Sequence, residues 1–128
     1  MNRADLKAHI EAIEKAYEFF LAYAAQGAAD DAAVKVGAQL RQFLGEADAA
    51  LRALETDLSS IIETESLSPV EAYRDVIDVT SRDAASAGAA VRLVAAQDTV
   101  SSQLIDNLNA STHMRALLTD LFLLDDVV

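Results

Sequence analysis

The sequence predicts an all-α protein: an antiparallel four-helix bundle built on a long central helical hairpin and paired into a dimer. Three observations lead to this prediction. An apolar heptad repeat spans residues 40–61, a shorter repeat with the same spacing precedes it, and a capped turn at Ser68 divides the chain near its middle. A stripe with a period of about 3.5 residues makes one helix lie along another at a shallow angle. The longer repeat consists of Leu40, Leu44, Ala47, Leu51, Leu54, Leu58 and Ile61.

The first predicted helix runs from Ala4 to Gln26. Asp5 lies in its first turn, where a carboxylate interacts favourably with the helix dipole, and Gly27 follows its last turn as a C-terminal stop. The shorter repeat supplies its apolar stripe, which is Leu6, Ile10, Ile13, Tyr17, Phe20 and Ala24.

The second predicted helix begins at Asp30 or Asp31, either of which can cap it, and continues to Glu63 or Glu65. Gly37 falls inside this helix. Because an interior glycine costs up to about 1 kcal/mol relative to alanine, we interpret it as a point of close contact with a neighbouring helix.

A capping box starts the third predicted helix. Ser68 and Glu71 have the spacing at which each side chain bonds the backbone amide of the other, and Pro69 suits the first helical position. The helix then extends to Asn107. Its apolar stripe slips at Asp98, which would otherwise occupy a core position, so we expect a register stutter or a local break there.

The fourth predicted helix is capped by Ser111 or Thr112 and runs to Leu124. This segment is the most apolar part of the chain, so we expect it to be buried on two sides. Residues 125–128 are expected to form a frayed tail.

These helix lengths predict a dimer. The second and third helices form a long hairpin with its tip near residues 66–68, and the two shorter helices cover only its open end. The apolar residues near the tip would then stay exposed, beyond what soluble monomers usually tolerate. We therefore expect a homodimer, or a partner protein, to bury them. The predicted interface is Leu54, Leu58, Ile61, Ile62, Val70, Tyr73 and Ile77.

Composition limits the classes of function. The 128 residues are enough for one domain, 1–128, and the net charge of −11 disfavours nucleic acid and anionic lipid as partners. The absence of cysteine excludes disulfides and thiolate metal sites. The longest uncharged run, residues 19–29, is too short to span a membrane, and no secretory signal is recognisable. We expect a cytoplasmic protein.

An acidic stripe is one candidate site. Glu71, Asp75 and Asp78 recur at helical spacing near the hairpin tip, and they offer contacts for a basic peptide. Their proximity to Arg74, which is four residues before Asp78, favours the alternative of a partly neutralised, solvated face.

The two histidines are the other candidates for chemistry. His113 on a helical bundle suggests a histidine phosphotransfer domain, but no lysine follows it one turn later, and the next turn is apolar. His9 has no Glu-x-x-His motif around it, which a metal site in a bundle requires. We therefore expect no catalytic residues, no metal and no cofactor.

The sequence as a whole favours a non-enzymatic interaction module, an adaptor or chaperone-like bundle that receives a partner helix. Two alternatives remain open. One is the phosphotransfer bundle that uses His113. The other is a small-ligand sensor with an apolar pocket near Tyr17, Phe20 and Tyr23, although core packing is the ordinary role for such aromatic residues.

Overall fold

The computed structural model is all-helical. It describes residues 1–128, apart from the side chain of Thr112, and contains no strand in that range. Five helices pack against one another, and a sixth is a single turn. The predicted all-α class is therefore confirmed, with five packed helices instead of four. The helices are α1 (Arg3–Ala24), α2 (Gly37–Asp57), α3 (Ile61–Thr64), α4 (Val70–Ala95), α5 (Ser102–Ala110) and α6 (Thr112–Val127).

Helix α1 forms close to its predicted bounds. Asn2 caps it through a reciprocal pair of bonds: its side chain accepts from the Asp5 amide at 2.8 Å, and its own amide donates to the Asp5 carboxylate at 2.9 Å. Gly27 follows the helix with a φ of +65°, the left-handed conformation that glycine adopts without strain.

The predicted start of the second helix is wrong. Asp31–Ala33 form one 3₁₀ turn, capped by Asp30, and α2 begins only at Gly37. A Cβ atom at Gly37 would lie 1.7 Å from the carbonyl oxygen of Asp31. The glycine is therefore required because the chain folds back on itself here, not because two helices meet.

The predicted capping box of the third helix is also wrong. Pro69 occupies the N-cap position with extended backbone, and helix α4 begins at Val70. Ser68 is thus one residue too far from the helix for its side chain to bond the Glu71 amide.

The predicted break near Asp98 is confirmed. Helix α4 ends at Ala95, and helix α5 starts at Ser102 after a loop that includes Asp98. Ser101 caps α5 by accepting from the Leu104 amide at 3.1 Å.

Helices α1, α2 and α4 run in alternating directions. The amino terminus of Met1 lies 3.3 Å from the Asp57 carboxylate at the end of α2. At the opposite end, the Arg41 side chain near the start of α2 donates to the carbonyl oxygen of Ala95 at 2.9 Å. The end of α2 and the start of α4 therefore share one end of the molecule, which we call the tip.

Helices α5 and α6 return along α1 to the tip. Near the start of α5, Ser102 donates to the Tyr23 carbonyl oxygen at 2.6 Å. Near the end of α6, the Asp125 carboxylate lies 3.8 Å from the Lys7 ammonium. The loop after α4 thus reverses the chain, whereas the sequence analysis had α5 continue in the direction of α4.

This reversal removes the reason for which a dimer was predicted. Leu54, Leu58, Ile61 and Ile77 are each at most 1% exposed within a single chain. They are covered because both α1 and α6 reach the tip. The expected fraying of residues 125–128 is likewise wrong, since α6 extends to Val127. The dimer itself stays a prediction.

A single apolar cluster connects the five long helices. In the part of the chain that the structure describes, no helix combines the length and the apolarity needed to cross a bilayer. The cytoplasmic location stays a prediction.

Candidate functional site

The residues predicted for the interface occupy different environments. Four of them belong to the core, as described above. Of the other three, Ile62 and Tyr73 are half-buried and Val70 is 40% exposed. Tyr73 contributes to a surface feature that the sequence analysis did not identify, a groove between two helices.

This α4–α6 groove lies near the tip and has a volume of about 240 Å³. The Tyr73 hydroxyl closes one end by donating to the Val127 carbonyl oxygen at 2.9 Å. All but one of the lining side chains are hydrocarbon, so the groove offers shape and apolar surface more than hydrogen bonds. It is lined by Ala72, Tyr73, Val76, Leu123, Leu124 and Val127.

Large apolar side chains around the groove are exposed to solvent. Leu123 is 56% exposed, Val127 is 51% exposed, and Val79, one helical turn from Val76, is 43% exposed. Single exposed apolar residues are ordinary, but several on one face indicate an interaction surface. Helices α4 and α6 of a single chain form this face.

Two aspartates extend this face away from the tip. Asp83 is seven residues beyond Val76, and Asp120 is three residues before Leu123, so each continues the stripe of its own helix. Asp120 Oδ2 is buried, and when both carboxyls are ionised it has no hydrogen-bond donor among the described residues. The carboxyl pair therefore lies beyond the groove along the same two helices and is not part of its lining.

The surroundings of Asp120 favour its protonated form. Burial, together with a hydrogen bond to Asp83 and the negative charge of Asp83, raises the pKa of Asp120 to about 7. Two close carboxylates cannot both ionise cheaply, and no ion pair of the described residues includes either of them. A cationic group placed between them would remove this cost.

The predicted acidic stripe lies on the solvent-exposed side of α4, and its role as a contact for a basic peptide stays a prediction. Glu71, Asp75 and Asp78 are all exposed, and no ion pair of the described residues includes any of them. The expected ion pair between Arg74 and Asp78 is therefore absent among the described residues. Asp78 lines a separate depression of about 390 Å³ beside α3.

A different carboxylate, Asp31, lies at the end of the molecule opposite the tip. It accepts from Arg41 Nε at 2.9 Å and from the Val100 amide at 2.8 Å. Arg41 also donates to the carbonyl oxygens of Ala95 and Gln97, each at 2.9 Å. The hydrogen bond from Arg41 lowers the pKa of Asp31. We call this arrangement the Asp31 clasp, and its role is structural because it joins the two loops at this end.

The candidate histidines lie apart. His113 is exposed in the first turn of α6, and His9 is half-buried on α1. Among the described residues, no group of three or more His, Cys, Asp or Glu side chains is arranged to hold a metal ion. No side-chain hydrogen bond or ion pair found among the described residues includes either histidine, and the phosphotransfer alternative stays untested.

The predicted aromatic pocket is divided between core and surface. Phe20 and Tyr23 are at most 1% exposed, and Tyr23 donates to the Val100 carbonyl oxygen at 2.6 Å. Tyr17 instead lines a depression between α1 and α5 that also contains Asn109.

The sequence analysis missed Asp83, Asp120 and Asn109. Asp120 carried a signal, because it is a charged residue inside the most apolar segment of the chain. Asp83 falls on the stripe of Val76, seven residues away, and that spacing was also visible. Asn109 gave no signal, since a polar residue close to a predicted turn is unremarkable.

The comparisons with known proteins identify no relative. The chain matches no protein-family model, and no curated protein and no solved structure matches it significantly. Any functional proposal therefore depends on the geometry of this chain alone.

Proposed function

We propose that the protein is a non-enzymatic interaction module, adaptor-like or chaperone-like, whose α4–α6 groove receives an amphipathic helix that carries a basic residue. The supporting observation is the apolar groove with the Asp83–Asp120 pair beyond it on the same two helices, a pair that no ion pair of the described residues includes. A helix laid in a groove through its apolar face is a recurring mode of recognition.

The surrounding charge supports a basic occupant. The chain has a net charge of −11, and exposed acidic residues, Asp75 and Asp126, adjoin groove residues on both helices. Such a surface attracts a cationic helix and repels an acidic one. An arginine or lysine between Asp83 and Asp120 would also stabilise the ionised carboxylates.

The groove sets the spacing that the partner needs. Seven residues of helix separate Val76 from Asp83, which corresponds to about 10.5 Å along the axis. The partner helix therefore carries its basic residue about two turns from the apolar side chain that enters the groove.

We regard the rest of the molecule as a rigid scaffold, a bundle of four members in which α5 and α6 together form the fourth. The predicted homodimer would place a second copy in the same groove. Charge disfavours that occupant, because a homodimer would bring together two chains that each carry a net charge of −11. A phosphotransfer role for His113 has no supporting observation.

Selection from a library of displayed helical peptides tests this proposal. The library keeps apolar residues at helical spacing and randomises the charged positions. We expect the selected peptides to carry Arg or Lys about two turns from an apolar anchor. We also expect Leu123→Asp to weaken their binding by at least about tenfold.

Leu93→Asp is the matched control, because Leu93 is 67% exposed on α4 and lies outside the groove. Peptides selected without a basic residue, or equal binding to both variants, would contradict the proposal. So would a dimer in solution that Leu123→Asp dissociates, since the groove would then belong to a second copy.

A further inference from the structure

Asp83 and Asp120 meet where α4 packs on α6, in a contact that favours a shared proton. Asp120 Oδ2 is buried, and it has no donor among the described residues when both carboxyls are ionised. A carboxylate can only accept hydrogen bonds, so two carboxyls bond each other only when one of them is protonated. The geometry of the contact and its burial therefore both favour a singly protonated pair.

The charged groups around the pair do not replace this proton. No ion pair of the described residues includes Asp83 or Asp120. On α6, His113 is seven residues before Asp120 and lies on the same side of the helix, but it is exposed. Helices α1, α4 and α5 pack against α6. Among their described residues, Asp83 alone contributes a charge that raises the pKa of Asp120.

The pair is open to an approaching charge from solvent. Both side chains are half-buried, and they continue the stripes of the groove residues Val76 and Leu123 along the two helices. An opposite charge favours the ionised form of a carboxyl group from as far as about 4–6 Å, so a cation does not need to contact the buried Oδ2 atom. A basic side chain beside the pair therefore promotes loss of the shared proton.

We propose that the α4–α6 face binds its basic partner helix in exchange for the proton that Asp83 and Asp120 share, so that pH regulates the binding. This proton exchange rests on the proposed function, because it needs a basic helix at the groove. Binding and deprotonation are reciprocal, so a partner that favours the ionised pair binds more tightly once the proton has left. The apolar contacts of the groove do not titrate, and they provide the affinity that remains at low pH.

The size of the pH effect follows from the protonated fraction of the free protein. The pKa of Asp120 is raised to about 7, so about nine in ten molecules carry the proton at about pH 6 and about one in ten at about pH 8. A bound cation returns the carboxyl towards its ordinary range, and the affinity should therefore rise about tenfold between these two values. An ordinary aspartate is already ionised at the lower pH and would produce no such rise.

Calorimetric titration of the full chain with a helical peptide tests the proton exchange. The peptide is one selected from the helix library, synthesised with blocked ends, with arginine as its basic residue and glutamine at its other charged positions. Arginine stays charged over the whole range, so the peptide itself does not titrate. We expect binding about tenfold tighter at about pH 8 than at about pH 6. We also expect release of about one proton per peptide at about pH 6, measured from the binding enthalpies in phosphate and in imidazole buffer.

Variants assign the pH dependence to the carboxyl pair. Asp120→Asn has no proton to release, so its affinity should differ by less than about twofold between the two pH values. Asp106→Asn removes the same charge from an exposed position on α5, outside the groove lining, and should keep the wild-type rise. His113→Gln should keep it as well, because that histidine is exposed and does not share the proton. If Asp120→Asn fails to fold, Asp83→Asn provides the same test, since it also removes the second carboxylate.

The possible results separate the proton exchange from the proposed function. Equal binding of the peptide at both pH values, or a rise that persists in Asp120→Asn, would overturn the exchange and leave the groove as a binding site. The same conclusion would follow if a peptide with glutamine in place of its arginine kept the full pH dependence. Failure of the arginine peptide to bind at either pH would overturn the proposed function, and the exchange with it.

Discussion

Two regions of the molecule, the Asp31 clasp and the middle of the α4–α6 contact, treat a buried carboxylate in opposite ways. Asp31 accepts hydrogen bonds from Arg41 and from the Val100 amide, and its pKa is lowered. Asp120 meets another carboxylate, Asp83, and its pKa is raised. The difference shows that burial alone does not set the protonation state of an aspartate, because the groups that surround it decide the sign of the shift.

The comparison also distinguishes structure from binding. The carboxylate of the Asp31 clasp already has donors, so it has little capacity for a further partner. The Asp83–Asp120 pair takes part in no ion pair of the described residues and lies beyond an apolar groove on the same helices. Substitutions in the two regions should therefore have different effects.

Asp31→Ala should destabilise the protein by about 3 kcal/mol. The substitution leaves the buried Val100 amide without an acceptor and deprives Arg41 of its counter-ion. Urea unfolding at neutral pH measures the effect. Asp30→Ala is the control, because Asp30 only caps a 3₁₀ turn and should cost about 1 kcal/mol. Equal losses in the two variants would show that the clasp contributes nothing beyond a cap.

Asp120→Asn should stabilise the protein by about 2 kcal/mol at about pH 8. The asparagine amide can donate to the Asp83 carboxylate, so the pair no longer carries two negative charges. Urea unfolding of both proteins measures the difference. Asp126→Asn on the exposed face of α6 controls for the general effect of removing a negative charge. A loss of stability in Asp120→Asn would contradict the raised pKa.

The stabilisation by Asp120→Asn should depend on pH with a defined sign. The folded-state pKa of Asp120 lies above the unfolded value, so the folded protein binds more protons than the unfolded chain between about pH 4 and about pH 7. The contribution of protonated Asp120 to the free energy of unfolding therefore declines as pH rises through that window. The lowered pKa of Asp31 acts in the opposite sense, since its contribution is lost only as pH falls below about 4. The difference between variant and wild type should therefore be smallest at about pH 4 and largest above pH 7. A difference that stays constant across this range would exclude Asp120 as the titrating group.

Arg52→Ala should have the smallest effect, about 0.5 kcal/mol or less. Arg52 bonds Asp48 at 3.1 Å within α2, but its side chain is 60% exposed. Arg92 reaches the same carboxylate from α4 at 2.9 Å and is less exposed, so Arg92→Ala should cost somewhat more, up to about 1 kcal/mol. Burial disfavours the charged form of Asp48, yet the bonds from both arginines leave its pKa lowered. Thermal unfolding of the two variants and of their combination measures this order, and a larger loss for Arg52→Ala would contradict it.

Several features of the fold were predictable because they depend on local physics. The apolar stripe of α1, its end at Gly27 and the break at Asp98 are properties of a few neighbouring residues each. The start of α2 was not predictable in this way. Asp31 has the character of a helix cap, but its carboxylate is held by Arg41 and by Val100, which is distant in sequence.

The candidate sites were predictable only in part. Tyr73 is half-buried beside the groove, and its role in an interface stays a prediction, whereas Leu58 and Ile61 were assigned to the same interface and belong to the core. The error came from the placement of two segments, since α1 and α6 both reach the tip. Had α5 continued along α4, α6 would not have covered the tip.

The sequence by itself determined the helical class and the apolar stripes, because backbone hydrogen bonding and side-chain periodicity act over a few residues. Only the tertiary structure decided which apolar residues are covered and which carboxylates are neutralised. Both depend on segments that are far apart in the chain: α6 covers the tip, Arg41 neutralises Asp31, and Asp83 meets Asp120. Burial and charge are collective properties of the packed helices, so a local pattern can show that a residue is apolar or acidic but not what it will face.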